Sequence, residues 1–288
     1  MTMNYTYQMN QPWFAMMAKQ YRAYHYGTEG ILNFYMFRVC NFVSHSDVIL
    51  LPDGEIDIMF IKRKENEYKI YMYGTPTQTT PLDNTLDIKE GDCIFGVRMF
   101  PDVIPNILDI SSQESINNVF ELTNLFEMQK IAHDIFLEVE FEDRIKSFLD
   151  SYYLVYFKRY EKNQNDNALA DYVMKRIVES KGVAKINDVS AEACYSARYI
   201  DKIFSQKFGI SPKYFSRIVR FHSVVMELMS DKKVIDISEE VNLNEGNLIR
   251  EFKNISGYTP RTFRKTLNEY QERLKIYNFK NENLFELF

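Results

Sequence analysis

The chain has 288 residues, 45% hydrophobic and 26% charged. That is enough apolar material for a packed core and more length than one average domain needs, which excludes wholesale disorder. Its ten Gly and eight Pro exclude collagen-like or linker-rich designs, and the net charge of −5 argues against a uniformly basic nucleic-acid coat.

That average hides an asymmetry. Residues 1–160 carry 14 Lys and Arg against 22 Asp and Glu, and residues 161–288 carry 21 against 18. Within 195–222 there are six basic residues and a single acid, Asp201. An acidic half joined to a locally basic half suggests a division of labour. No apolar run approaches the ~18–20 residues of a transmembrane helix, so no membrane partner is expected. The start, MTMNYTYQMNQPWF, lacks the basic and apolar regions of a signal peptide. Cys40, Cys93 and Cys194 are too widely spaced for a disulfide framework or a metal knuckle. A cytoplasmic location is the expectation.

In chain order, the first ~110 residues read as β-rich. The runs 31–39, 56–61 and 68–73 are dense in β-branched and aromatic residues, and turn signals such as Pro52-Asp53-Gly54 and Gly74-Thr75-Pro76 bound them. The second and third runs form an expected hairpin, and the whole suggests a barrel or sandwich. Asp53, Glu55 and Asp57 alternate, and read as a turn residue and a solvated strand face. From Ser115 the apolar spacing changes to three and four: Ile116, Val119, Phe120, Leu122 and Phe126, then Ile145, Phe148, Leu149, Tyr152, Tyr153 and Tyr156. These are expected as amphipathic helices. The polar stretch 161–167 reads as a linker between a domain at 1–160 and one at 168–288.

The second domain repeats itself at an offset of 48. Val189 aligns with Ile237, Ser190 with Ser238, Ile200 with Leu248, Phe204 with Phe252, Gly209 with Gly257, Pro212 with Pro260 and Phe215 with Phe263. Each copy, about 186–209 and 234–257, reads as a short helix, a tight turn and a second helix. Ser196 and Asn244 are expected N-caps, Gly209 and Gly257 C′ residues, and Pro212 and Pro260 first-turn residues. That is the helix-turn-helix plan; a longer helix over 213–230 joins the copies. Helical phase turns Ile200, Ile203, Phe204 and Phe208 inward and Arg198, Asp201, Lys202 and Ser205 outward. In copy two Leu248, Phe252 and Ile255 face inward, and Gly246, Ile249, Arg250 and Lys253 outward. A basic, polar face presented twice suits the major groove, where Arg and Lys reach guanine O6 and N7.

Tyr195-Ser-Ala-Arg-Tyr-Ile-Asp-Lys-Ile-Phe204, continuing through Phe208-Gly-Ile-Ser-Pro-Lys213, resembles the paired helix-turn-helix domain of AraC/XylS-family transcriptional regulators. The resemblance covers roughly 168–270. The stretches 51–60 and 96–101 are similar to motifs in the cupin-like sensor domains of one branch of that family. The resemblance implies an α+β chain: an N-terminal β-rich, cupin-like barrel with a helical dimerisation segment, then an all-α domain of two helix-turn-helix units joined by a linker helix. By position it implies base reading by Arg198, Asp201, Lys202, Gly246, Asn247 and Arg250. Lys213, Arg220, Arg261 and Arg264, near helix starts or on outer faces, suit phosphate oxygens. Copy two departs from the family pattern, with Asn242-Leu243 at the turn and Gly246 in the first helical turn, where Gly costs up to ~1 kcal/mol against Ala.

The expected partners are double-stranded DNA, a small-molecule effector, a second copy bound through helices in 115–160, and RNA polymerase; the expected role is activation. Trp13, Tyr35, Tyr71 and Tyr73 could line an effector pocket with Arg38 or Arg98 as polar anchor. His25, His45, His133 and His222 are isolated, so no metal or other cofactor and no enzyme activity are expected. The competing readings are a non-catalytic metabolite- or carbohydrate-binding module and a cupin-type enzyme.

Overall fold

The computed structural model describes residues 18–28, 30–40, 49–63, 67–81, 86–104, 108–156, 164–228, 230, 232–276 and 280–281. The chain has the expected α+β class. Its N-terminal half is built on strands β1 (Ala18–Thr28), β2 (Ile31–Val39), β3 (Ile49–Leu50), β4 (Ile56–Lys62), β5 (Tyr68–Tyr73), β6 (Thr80–Pro81), β7 (Cys93–Met99) and β8 (Val119–Glu121). The main sheet runs β8-β5-β4-β7-β2-β1, antiparallel throughout, and β3 pairs with β6 separately. The two-residue strand β9 (Lys280–Asn281) adds in parallel beside β1.

Period-2 alternation sorts the strand side chains onto two faces. Phe34, Ile58, Phe60, Ile70, Met72, Phe95 and Val97 point to one face. There they pack on helices α1 (Phe126–Leu137) and α2 (Phe141–Tyr156) through Ile131, Ile135, Phe141, Ile145, Phe148 and Tyr152. Tyr35, Phe37, Met59, Ile61, Tyr71, Tyr73 and Ile94 point to the other face, in a cluster that continues into the helical half through Phe221, Val224, Phe252 and Phe263. With both faces covered, β4 is buried from Ile56 to Ile61.

Three expectations are corrected. Val119–Glu121 is a strand, not part of a helix, because the edge of β5 captures it: Tyr71 pairs with Glu121 and Tyr73 with Val119. Asn117, in the left-handed region at φ 55°, sets its entry. One turn of three-and-four spacing cannot tell the two apart. Second, the stripe Ile145, Phe148, Leu149 and Tyr152 is spent inside the chain, against the sheet, and does not offer itself to a second copy. The side chains of Tyr153 and Tyr156 lie outside the described residues. Third, residues 164–167 open a helix, α3 (Gln164–Glu179), instead of continuing a linker.

Six further helices follow: α4 (Ile186–Glu192), α5 (Ala197–Phe208), α6 (Pro212–Leu228), α7 (Val234–Glu240), α8 (Glu245–Ser256) and α9 (Pro260–Ile276). The first three and the last three begin and end 48 residues apart, as the repeat requires. Val173, Met174, Ile177, Ile200, Phe204, Phe208 and Phe215 close the core of the first unit, with Leu32 and Phe100 contributed by the β half.

Candidate nucleic-acid interface

Each helix-turn-helix unit is set by the same local devices. The turn residue Cys194 has φ 59°, and its counterpart Asn242 has φ 54°. Asn adopts this left-handed conformation readily. Ser196 accepts a hydrogen bond from the Tyr199 amide at 3.2 Å, and Asn244 Oδ1 accepts one from the Asn247 amide at 2.8 Å. Each cap satisfies an amide the helix leaves open, for about 1 kcal/mol. Gly209 and Gly257 end the second helices at φ 79° and 77°, where a side chain would be strained. Ser211 and Thr259 then cap α6 and α9 through the amides of Tyr214 and Thr262.

The devices orient α5 and α8. Ile200, Ile203, Phe204 and Phe208 are buried on α5, and Leu248, Phe252 and Ile255 on α8. Arg198, Asp201 and Lys202 stand exposed on the opposite face of α5, as do Gly246 and Arg250 on α8; Asn247 is half-buried. Arg250 donates to Asn247 Oδ1 at 2.8 Å, which holds the guanidinium over the first turn of its own helix. A β-carbon at Gly246 would meet nothing closer than Asn244 Oδ1 at 3.7 Å among the described residues, none of which requires glycine at this position.

The four phosphate candidates divide. Lys213 and Arg261 are exposed at the first turns of α6 and α9. Arg220 and Arg264 are instead engaged by the fold. Arg220 donates to the Gly182 carbonyl at 2.6 Å and pairs with Glu251 at 3.5 Å. Arg264 donates to the carbonyls of Leu228 (3.1 Å) and Lys232, closing the end of α6. Their place near helix starts suggested phosphates; the orphan carbonyls at the end of α6 were the competing claim.

The β half grips the same units from behind. Ser112 donates to the Lys207 carbonyl at the end of α5 (2.8 Å), and Thr79 donates to the Ile255 carbonyl at the end of α8. Lys207 pairs with Asp102 at 3.4 Å and with Asp171. Tyr214 donates to the Thr77 carbonyl at 2.6 Å, and a side chain at Gly54 would meet the Phe215 ring. His222 Nε2 lies 2.9 Å from the Pro52 carbonyl and is 1% exposed. Burial lowers its pKa from 6.5 to about 4, with the Arg98 charge adding to the effect against the Pro52 bond. The imidazole is neutral, with its proton on Nε2, the tautomer that donates to a carbonyl.

The effector-pocket candidates are not brought together as a set. Tyr35 and Arg98 meet on the sheet face toward α6, with the guanidinium 5.9 Å from the ring centroid. The Tyr35 ring fills the space beside Gly96, where a β-carbon would come within 2.0 Å of its Cζ. Tyr71 and Tyr73 share that face. Arg38 does not: three residues from Tyr35 on one strand, it falls on the opposite side, exposed and donating to the Gly91 carbonyl at 3.2 Å. Trp13 and His45 lie outside the described residues. Among the described residues no three His, Cys, Asp or Glu are grouped to hold a metal ion, and no helix is long and apolar enough to cross a membrane.

The sequence reading missed what surrounds Arg98. Asp53, Glu55 and Asp57 are 2%, 2% and 6% exposed, not solvated. Arg98 Nε lies 3.2 Å from Glu55, and its terminal nitrogen 3.1 Å from Asp57. Asp53 Oδ1 accepts the Glu55 amide at 3.0 Å. Burial, then the neighbouring Asp53, pushes the Glu55 carboxyl well above the carboxylate range, and burial pushes Tyr21 up to about 12. Burial works against the Arg98 charge, yet the carboxylates around it hold it well above the ordinary guanidinium range. Alternation showed that the three acids share a face; nothing local showed that α6, some 160 residues later, covers it.

Comparison with known proteins agrees with this geometry. The helix-turn-helix domain family matches residues 189–266, spanning both units. The chain is 25% identical over 151 residues to YtdP, a helix-turn-helix-type transcriptional regulator of Bacillus subtilis; the match covers 52% of this chain and 18% of that protein. The chain thus spans under a fifth of the length of that relative. Among solved structures, the C-terminal domain of AraT, a response regulator from Geobacillus stearothermophilus, is similar at 20% identity and a TM-score of 0.32, over 37% of this chain and 88% of that one. ToxT from Vibrio cholerae is similar at 12% identity and a TM-score of 0.42, over 86% of this chain and 98% of that one. Two capped helix-turn-helix units thus stand in tandem beside an antiparallel sheet, and the helix-turn-helix domain match runs across both.

Proposed function

We propose that the chain is a non-catalytic, sequence-specific activator acting in the cytoplasm, whose α5 and α8 read adjacent major grooves. Arg198, Asp201 and Lys202 are assigned to base edges in the first groove, and Asn247 and Arg250 in the second. At Gly246 the α8 backbone can come close to the duplex. Lys213 and Arg261 are assigned to phosphates. The observation that carries this reading is the paired exposure of Lys202 and Arg250 at equivalent positions of two units whose other faces are buried, with Arg198 and Asp201 beside Lys202. Arg pairs with guanine through two bonds, and Asp accepts from the cytosine amine; a lysine at a helix start meets phosphate without reading sequence.

The N-terminal half is assigned a control role. Its contacts with the ends of α5 and α8, through Ser112 and Thr79, give it a hold on the relative setting of the two helices. A small-molecule effector held by the N-terminal half would act through differential contacts in two such settings. Self-association through 115–160 would use the outer face of α1 and α2. There Asp134, Glu138, Asp143 and Asp150 line a groove with Leu137 and Lys146, and like charges oppose symmetric pairing at low salt. RNA polymerase is the proposed target of the bound activator.

The test is duplex binding by the full chain at increasing salt. Affinity is expected to fall steeply, as neutralised phosphates require. Arg198→Ala should cost ~1–3 kcal/mol at the preferred site and relax the choice of one or two base pairs. Lys213→Ala should weaken all duplexes alike. Salt-independent binding, or identical behaviour of the two variants across a panel of duplexes, would contradict the assignment.

A further inference from the structure

The rings of Tyr195 and Tyr199 stack at the entrance of α5, with centroids 5.4 Å apart and planes 18° from parallel. Tyr195 stands just before the N-cap Ser196 and is 50% exposed, unlike the buried Phe204 and Phe208 of the same unit. An apolar residue before the N-cap commonly staples to the fourth helical position. Here that position is Ile200, which is wholly buried in the core, and Tyr195 stacks on the third position instead. Tyr199 is itself half-buried against the core of the first unit, so the stack fixes the exposed ring of Tyr195 at the helix entrance. Tyr199 lies one position from Arg198 and three from Lys202 on α5, and the stack sets the Tyr195 ring beside it. A duplex that meets those two cations also covers the rings.

The second unit differs at this point. Leu243 and Asn247 occupy the equivalent positions, and Asn247 Oδ1 is engaged with Arg250. At these two positions the second unit presents no aromatic ring.

We propose that the Tyr195–Tyr199 pair selects a base in the first half-site by packing on the C5-methyl of a thymine, next to the base pairs that Arg198 and Lys202 reach. The methyl is the one apolar group on the major-groove edge of a base pair. A tyrosine ring offers it an apolar body while the hydroxyl stays at the wet rim. The stack holds both rings in place before binding, which spares the ordering cost of free side chains. One copy of the chain then recognises two unlike half-sites, the first of them marked by a thymine methyl under the tyrosine pair. This inference rests on base reading by α5.

The experiment selects duplexes from a random-sequence library with the full chain. Each thymine of the selected duplex is then replaced by uracil, which removes only the methyl. One replacement under the first unit is expected to weaken binding about fourfold, the worth of burying one methyl-sized group. Tyr195→Ala and Tyr199→Ala should each abolish that penalty, and Tyr195→Phe should keep it; circular dichroism checks that the variants fold. The proposal is overturned if no methyl under the first unit matters, or if the penalty persists in both alanine variants. Should Arg198→Ala also leave base preference unchanged, base reading by α5 falls as a whole. Should Arg198→Ala shift preference while the methyl penalty ignores both tyrosines, only the tyrosine assignment falls.

Discussion

Arg98→Met is expected to destabilise the chain by about 3–5 kcal/mol, because it strips the counter-charge from buried acids. Asp53, Glu55 and Asp57 sit around the 5%-exposed Arg98, and methionine fills much of the volume without the charge. A domain holds only ~5–15 kcal/mol in total, so Tm should drop by roughly 10 °C. The damage should spread. The same loop carries Pro52 and Gly54, on which His222 and Phe215 of α6 rest, so proteolysis between the halves should accelerate. Combining Arg98→Met with Glu55→Gln and Asp57→Asn should restore most of the loss, since neutral partners no longer need the cation. Arg98→Lys should fall between, keeping charge but losing the pair of guanidinium hydrogen bonds to Asp57. Thermal unfolding of the series settles it. An Arg98→Met chain as stable as the parent would mean that the Arg98–Asp57 pair does not hold this region together.

The second large effect is on acid stability. His222 is held neutral, with its pKa lowered from 6.5 to about 4. Its contribution is therefore full above pH 6.5 and is lost as pH falls toward 4, where the unfolded chain takes up the proton first; the amount is about 3 kcal/mol. Glu55 contributes with the opposite sign. Its raised pKa favours the folded state below the ordinary carboxylate value, and that advantage is lost as pH rises. The informative quantity is thus the stability of the parent minus that of His222→Gln, which keeps a donor for the Pro52 carbonyl but does not titrate. That difference should shrink by about 3 kcal/mol between pH 7 and pH 4. Urea unfolding at a series of pH values measures it, and a difference independent of pH would contradict the buried neutral imidazole.

What could be read from the sequence was whatever is encoded locally and twice. Ser196 and Asn244, Gly209 and Gly257, Pro212 and Pro260 are capping and punctuation residues whose meaning lies within a few positions, and their shared offset fixed both units. The strand runs 31–39, 56–61 and 68–73 were legible from their apolar density. What escaped depended on distant partners. Ala18–Thr28 is a strand because β2 pairs with it, though YRAYHYG carries little apolar signal. Val119–Glu121 follows the edge of β5 against its own spacing. Arg38 and Arg98 looked equally fit to anchor a pocket until strand phase put them on opposite faces. Arg220 and Arg264 were taken by carbonyls that no sequence window contains. For the same reason Asp53, Glu55 and Asp57 read as solvated: the helix that buries them arrives only with the second domain.

The central claim is that two exposed helix faces of one chain enter successive major grooves of the same duplex. Methylation interference at guanine N7, on a duplex selected by the full chain, tests it most directly. The account expects two clusters of interference about one helical turn apart, ~10 base pairs, with Arg198→Ala erasing one cluster and Arg250→Ala the other. A single cluster, or two that respond alike to both substitutions, would contradict it.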